Sequence, residues 1–353
     1  MARTDTITKK ISDFLRCVGR RRLWIQTHDI PDPDAIAAAE ALRVIAREHG
    51  VHARIVCNGL PARRQNRVLL SECKIRIHPL ESVKIRSAAR SAWAYIDCLP
   101  GGGNVTMHQL APGDLYMAID HHKRPDIYRK EDPKIFIAVD PSVGATATML
   151  AKALFRLEVP FPPRLASAIS YAIITDTQDF SRGATEADLE MYSSLFPFTN
   201  QRIISRLRNV SKPRRYFRIV HSALENTFTY RYVAWAFVGE VLTGESVAEM
   251  ADFILSCERI TWALALGYTQ DRLFISLRSS QPKARCARLI HRLVDDLHGT
   301  VGGHNEFAGG FLFLDGDSDT TMLADLLIRR FVRIVLRLKK SAEDPEGSPL
   351  VED

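Results

Sequence analysis

Short apolar runs alternate with longer stretches in which apolar residues recur at helical spacing, and this alternation dominates the first half of the chain. Leu23–Trp24–Ile25–Gln26–Thr27 predicts a strand, and Asp34 to Glu48, rich in alanine, predicts a helix after it. Val51 to Val56 is a second strand. Ala92 to Ile96, Leu115 to Ile119 and Ile135 to Val139 are three more, each followed directly by an aspartate: Asp97, Asp120 and Asp140. Helical patterns follow at Ala145 to Leu157 and Leu165 to Ile174, and Ile11, Phe14, Leu15 and Val18 share one face of a first helix. Strands alternating with helices predict an α/β fold with a largely parallel sheet covered by helices. Ligands of such sheets bind beyond the carboxyl ends of the strands, where these aspartates fall.

The pattern changes near Pro197, Pro213 and Arg214–Arg215, which predicts a linker or linking helix. A second α/β pattern follows. Tyr230 to Phe237 predicts a strand and Val247 to Ser256 a helix. Thr261 to Leu266 and Arg272 to Ser279 form an antiparallel pair around Gln270–Asp271. Ala284 to Leu297 and Thr321 to Leu338 are helical. The acidic, Pro- and Gly-containing tail predicts disorder. The organisation is therefore two domains: residues 1–195, a linker over 196–225, a smaller mixed-sheet domain over 226–340, and a disordered tail over 341–353.

A length of 353 residues accommodates two ordinary domains. No run approaches the roughly 18 apolar residues of a membrane span, and Met1 to Arg22 lacks the apolar centre of a secretory signal. The formal charge of +7 favours anionic partners without naming one. The cysteines at 17, 57, 73, 98, 257 and 286 form no CxxC pair, which argues against a zinc clamp or redox pair and fits a cytoplasmic protein with reduced thiols.

Candidate chemistry lies in five segments: His28–Asp29–Ile30–Pro31–Asp32–Pro33–Asp34, then Asp97, then Asp120–His121–His122, then Asp140, then Thr175–Asp176–Thr177. Carboxylates and imidazoles repeated at strand ends suit a pair of divalent ions, a standard means of splitting phosphate esters. Each has a plainer explanation. Asp34 can cap its helix, Asp32 can be a turn residue, a lone Asp after a strand is usually a turn, and Asp176 can bond locally at a helix end. Asp140, followed by Pro141, Ser142, Gly144 and Thr146, reads as a helix-start turn that can also meet an anion.

The order HxxxDxD, a lone Asp, DHH and TDT resembles the DHH phosphoesterase superfamily. The run Val301–Gly302–Gly303–His304–Asn305–Glu306–Phe307–Ala308–Gly309–Gly310 is similar to the glycine/histidine motif of the accompanying DHHA1 domain. The resemblance covers about residues 20 to 338 and comes nearest to the bacterial nanoRNase and 3′-phosphoadenosine-5′-phosphate phosphatase type. It implies a DHH catalytic domain and a DHHA1 substrate-binding domain with the active cleft between them. It also implies two Mn2+ per active site, with Mg2+ or Co2+ as substitutes. By resemblance, His28 and Asp32 hold one metal, Asp34, His121 and Asp176 the other, and Asp97 bridges both. Asp120 organises the site, and His122 meets substrate phosphate or the leaving group.

The resemblance further implies substrate contacts at Arg278, Ser279, Gly302, Gly303, His304 and Asn66, with Arg63 or Arg64 near a distal phosphate. A surface role for Arg278 and a tight turn at Gly302–Gly303 remain open. Pro33, Val301 and Phe307 depart from the family pattern, which leaves the usual substrate size unsettled. The implied activity is metal-dependent exonucleolysis of short single-stranded oligonucleotides, or removal of phosphate from a small phosphorylated nucleotide, with no membrane partner and a homodimer as an allowed assembly. Cyclic-dinucleotide or polyphosphate hydrolysis is the enzymatic alternative. Nucleotide binding without cleavage is the alternative of another class, and retention of all six ligand candidates counts against it.

Overall fold

A computed structural model describes residues 2–59, 61, 64–83, 91–101, 104–106, 115–122, 135–303, 305–315, 319–339 and 341–351. The chain divides into two compact units, residues 1–210 and 211–353.

The first unit runs α1 (Ala2–Val18), β1 (Arg22–Thr27), α2 (Pro33–Glu48), β2 (Ala53–Cys57), α3 (Arg64–Cys73), β3 (Ile77–Pro79), β4 (Ser91–Ile96), β5 (Leu115–Asp120) and β6 (Ile135–Val139). Then follow α4 (Thr146–Arg156), α5 (Pro163–Asp176), α6 (Glu186–Leu195) and α7 (Gln201–Arg208). Its six strands are ordered β3-β2-β1-β4-β5-β6, and every pairing is parallel. A strand in such a sheet is buried on both faces, hence the near-continuous apolar runs. On β4, Ala92, Ala94 and Ile96 join the main core with α2, α4 and α5, while Trp93 and Tyr95 face the opposite side with Trp24 and Val56. Each fully buried Ile or Leu stabilises the unit by roughly 1.5–3 kcal/mol. Chain order reverses between β1 and β4, and their carboxyl ends flank the crevice where α/β sheets bind ligands.

The second unit runs α8 (Arg214–Glu225), β7 (Thr227–Tyr230), β8 (Val233–Glu240), α9 (Gly244–Leu255), β9 (Trp262–Thr269) and β10 (Arg272–Ser279). Then follow α10 (Cys286–Leu293), β11 (Gly299–Gly303), β12 (Phe307–Phe313), α11 (Thr320–Val335) and β13 (Ser348–Pro349). Its seven strands are ordered β11-β12-β10-β9-β8-β7-β13, and only β8 and β9 pair in parallel. Large side chains on one face, among them Val233, Leu264 and Leu273, pack with α10 and α11. Small ones on the other, Ala234, Ala236, Ala263 and Ala265, let α8 and α9 lie close.

The 196–225 segment, read as a linker or linking helix, is largely helical: α7 belongs to the first unit and α8 to the second, and the division falls after Val210. One expectation changes. Residues 341–351, read as disordered, are held down. The Arg333 guanidinium donates to the Ala342 and Lys339 carbonyls and pairs with Asp344, and β13 then adds to the sheet edge at β7. Among the described residues no helix is long and apolar enough to cross a membrane.

Candidate metal centre

All six ligand candidates lie in the first unit, and they meet at the carboxyl edge of its sheet. His28 and Asp32 come from the turn after β1. Asp97 follows β4, His121 follows β5, and Asp176 closes α5. Asp32, rather than Asp34, is the N-cap of α2: its carboxylate accepts the Ala35 N–H at 3.0 Å, and Pro33 opens the helix. Asp34, two residues on, reaches a different helix. Its two oxygens accept the Thr146 and Ala147 N–H groups, both at 2.7 Å, from the start of α4. Helix amino ends favour an anion in just this way.

The donors form overlapping groups in which every ligand atom lies within 4.8 Å of the others: His28, Asp32 and Asp97; Asp34, His121 and Asp176; and Asp97 with Asp120, His121 and His122. His28 Nε2 is 3.8 Å from both Asp32 Oδ1 and Asp97 Oδ2. His121 Nε2 is 3.6 Å from Asp97 Oδ1 and 3.4 Å from Asp176 Oδ2. Asp97 therefore stands between the first two groups. Two ligands each about 2.1 Å from one ion are about 3 to 3.5 Å apart, so these spacings suit donors that share cations better than direct hydrogen bonds. Among the described residues no lysine or arginine pairs with these carboxylates; their ionic neighbours are imidazoles. The donor set, oxygen and nitrogen without sulfur, fits Mn2+ or Mg2+.

Electrostatics points the same way. Burial, then the charges of Asp34 and Asp32, pushes Asp97 well above the usual carboxylate range. Burial and the Asp176 charge do the same to Asp34. Burial with Asp32 and Asp97 lifts Asp176 to about 8. So many crowded acids call for compensating positive charge. Burial and the charge of His122 lower His121, keeping its imidazole neutral, as a metal ligand must be. His28 is raised: burial opposes its charge, but Asp32 and Asp97 outweigh it.

His122 behaves differently. Its Nδ1 lies 2.8 Å from Asp120 Oδ1, which also accepts the His122 N–H at 3.0 Å. That bond raises His122 to about 9, so it is cationic at neutral pH, and its side chain is 59% exposed. It offers a proton and a positive charge to an anion at the edge of the cluster. Asp140 does not join the cluster: its carboxylate accepts the Ser142 N–H and hydroxyl in a turn.

Several supports escaped the sequence reading. The Thr146 hydroxyl donates to Asp97 Oδ1 at 2.9 Å. The buried Asp188 accepts from Gly144 N, Thr148 Oγ1, Thr185 N and Thr185 Oγ1, tying the loop before α4 to α6. A Cβ at Gly144 would come within 2.8 Å of the Gly183 carbonyl, so only glycine lets this loop reach the site. The run of small residues from Ser142 to Thr146 was the available signal.

The proposed substrate residues fare unevenly. Asn66 is buried on α3, and its amide donates to the Pro31 carbonyl at 3.0 Å, so it braces the His28–Asp34 turn. Ser279 is likewise buried, its hydroxyl donating to the Thr261 carbonyl at 2.9 Å, which leaves it a strand-end anchor. Arg278 pairs with Asp252 and lies 5.8 Å from the Phe307 ring centroid. Gly302 has open space where a Cβ would stand, but a Cβ at Gly303 would meet the Phe307 carbonyl at 2.4 Å, so Gly303 is required by the close approach of β12. His304 and Arg63 lie outside the described residues. Arg278, Gly302 and Gly303 belong to the second unit, whereas the ligand candidates belong to the first.

No family model matches the chain. An uncharacterized protein of Methanocaldococcus jannaschii is 26% identical over 287 residues, 81% of this chain; the chain spans just over half, 57%, of that relative's length. An exopolyphosphatase-related protein from Bacteroides fragilis superposes with a TM-score of 0.73 at 18% identity, covering 94% of this chain and 98% of its own. The exonuclease RecJ bound to manganese superposes with a TM-score of 0.54 at 14% identity, covering 94% and 95%. A parallel sheet followed by a separate mixed sheet is thus a fold that this chain shares with an exopolyphosphatase-related protein and with RecJ.

Proposed function

We propose that the chain is a DHH-type phosphoesterase that uses two divalent ions, Mn2+ by preference, to hydrolyse phosphodiesters at the ends of short single-stranded oligonucleotides. A small phosphorylated nucleotide such as 3′-phosphoadenosine-5′-phosphate would be a further substrate. The observation that carries the reading is the placement of Asp97 between two donor groups, His28 with Asp32 and Asp34 with His121 and Asp176. The shared fold with an exonuclease bound to manganese supports it. When bound, the ions would activate water and neutralise charge on the phosphoryl group.

The protein's own groups supply the rest. Thr146 donates to one oxygen of Asp97 and so fixes the carboxylate's orientation. The amino end of α4 holds Asp34. His122, charged through Asp120, is exposed where it can donate a proton to a leaving oxygen or meet a phosphate.

A polyphosphate substrate is the second reading, favoured by the likeness to the exopolyphosphatase-related protein over nearly the whole chain. One assay tests both. Purified protein with Mn2+ is given linear dinucleotides, a 3′,5′-bisphosphate nucleotide, cyclic dinucleotides and polyphosphate, and products are resolved by mass. Release of mononucleotide from the linear dinucleotide, with a loss of about 1,000-fold or more in Asp97→Asn, is the expected result; about 1,000-fold is the scale of removing a group that acts directly on the reaction. Near-normal turnover in that variant would sink the assignment, and cleavage of polyphosphate alone would replace the first reading with the second.

A further inference from the structure

The second unit contains a groove of about 650 Å³ lined by Lys283, Arg285, Arg288, Arg292 and Arg337, with Tyr232 and Trp262 in its wall and no carboxylate among its lining residues. We propose that this groove holds the phosphate backbone of a single-stranded nucleic acid, with a base lying on Tyr232. The proposal deepens the phosphoesterase reading and takes its choice of polymer from it.

Three observations carry it. Arg288 and Arg292, four residues apart, share one face of α10 and repel one another, and Arg285 stands at the cap of the same helix. On the neighbouring α11, by contrast, two of the three arginines are paired, Arg330 with Asp296 and Arg333 with Asp344. Among the described residues none of the five groove cations forms an ion pair.

The second observation is position. Arg285 is the N-cap of α10 and Arg288 lies in its first turn, where no acidic residue is present. Cations at a helix amino end oppose the helix dipole, and Arg285 also adopts left-handed backbone, φ 55°. A sequence that accepts repulsion, an unfavourable dipole and backbone strain in one place is arranged for an anion that relieves them. Arg292 and Arg337, near helix carboxyl ends, are favourably placed and extend the same row.

The third is the aromatic wall. Tyr232 is 37% exposed in the groove. A basic channel with an aromatic face is the arrangement that binds single strands, because every base can stack and every phosphate can pair. The start of α10 is tied to the segment before β12, where Cys286 N donates to the Asn305 carbonyl at 2.8 Å.

The test is fluorescence anisotropy with the full chain, free of metal so that no strand is cut, against labelled single-stranded RNA and DNA of about 12 nucleotides. The double variant Arg288→Ala/Arg292→Ala should bind about tenfold or more weakly at physiological salt. Its logarithmic salt slope should fall by about 1.4, from two phosphate contacts at about 0.7 each. Tyr232→Ala should weaken binding about fivefold or more. Mn2+-dependent cleavage of a dinucleotide, too short to fill the groove, should be unchanged in the double variant. Unchanged affinity and slope in a double variant that melts like the parent would overturn the proposal. Should that variant fail to fold, Lys283→Ala/Arg337→Ala must show the same loss. Displacement by inorganic polyphosphate at equal charge, with no effect of Tyr232→Ala, would overturn nucleic acid as the occupant. If no dinucleotide is cleaved by the parent but strand binding still depends on the arginines, the phosphoesterase reading fails and the groove assignment stands.

Discussion

Asp97 accepts a hydrogen bond from Thr146, lies 3.8 Å from His28 and 3.6 Å from His121, and adopts left-handed backbone, φ 57°, at the end of β4. Strained backbone of this kind persists where the surroundings over-determine it. Asp34, Asp97 and Asp176 share one electrostatic predicament, since each is held above the ordinary carboxylate range by burial and by its acidic neighbours. In the metal-free protein the folded state therefore binds protons that the unfolded chain has released. For Asp176 that window runs from the ordinary aspartate value of 3.8 to about 8, and stability contributed by the protonated form is lost as pH rises through it. A divalent cation reverses the sign, because it requires the ionised carboxylates. The increase in Tm on adding Mn2+ should consequently grow between about pH 5 and about pH 8. Thermal melts at a series of pH values measure this, and a shift independent of pH would count against the acids as ligands.

At the scale of elements, the loop from Asp140 to Thr146 and the helix it starts set the geometry of the centre. Asp188 gathers four donors around that loop, and Gly144 fits where no Cβ can. Gly144→Ala should destabilise the protein by about 1–3 kcal/mol through overpacking. Asp188→Ala should cost about 2–4 kcal/mol by leaving buried donors unpaired. Both should also weaken Mn2+ binding, although neither residue is among the ligand candidates; denaturant unfolding and metal titration read the two effects separately. What could be seen in the sequence follows from the same physics. β1, β4, β5 and β6 were legible because strands buried on both faces are apolar throughout, and the site was legible because its acids and imidazoles follow those strands directly. β3 is only three residues long, and β11 and β12 are glycine-rich, so neither carries an alternating signal. The bracing bond of Asn66 was not legible because its partner, the Pro31 carbonyl, is a backbone group 35 residues away, which no side-chain motif reveals.

At the scale of the whole molecule, each unit has its own sheet and its own core, and the first ends in sequence at Val210. The basic groove is in one unit and every ligand candidate is in the other. A ligand that binds only the native form of one unit stabilises that unit by mass action and leaves the other unassisted. The chain is therefore a candidate for two calorimetric transitions that can be moved independently. Saturating Mn2+ should raise the midpoint of one endotherm, and a single-stranded oligonucleotide added without metal should raise the other. A single transition displaced equally by both would mean that the halves melt as one cooperative block. Two separately tunable melting points would make heat alone enough to tell which half of the protein a given compound has found.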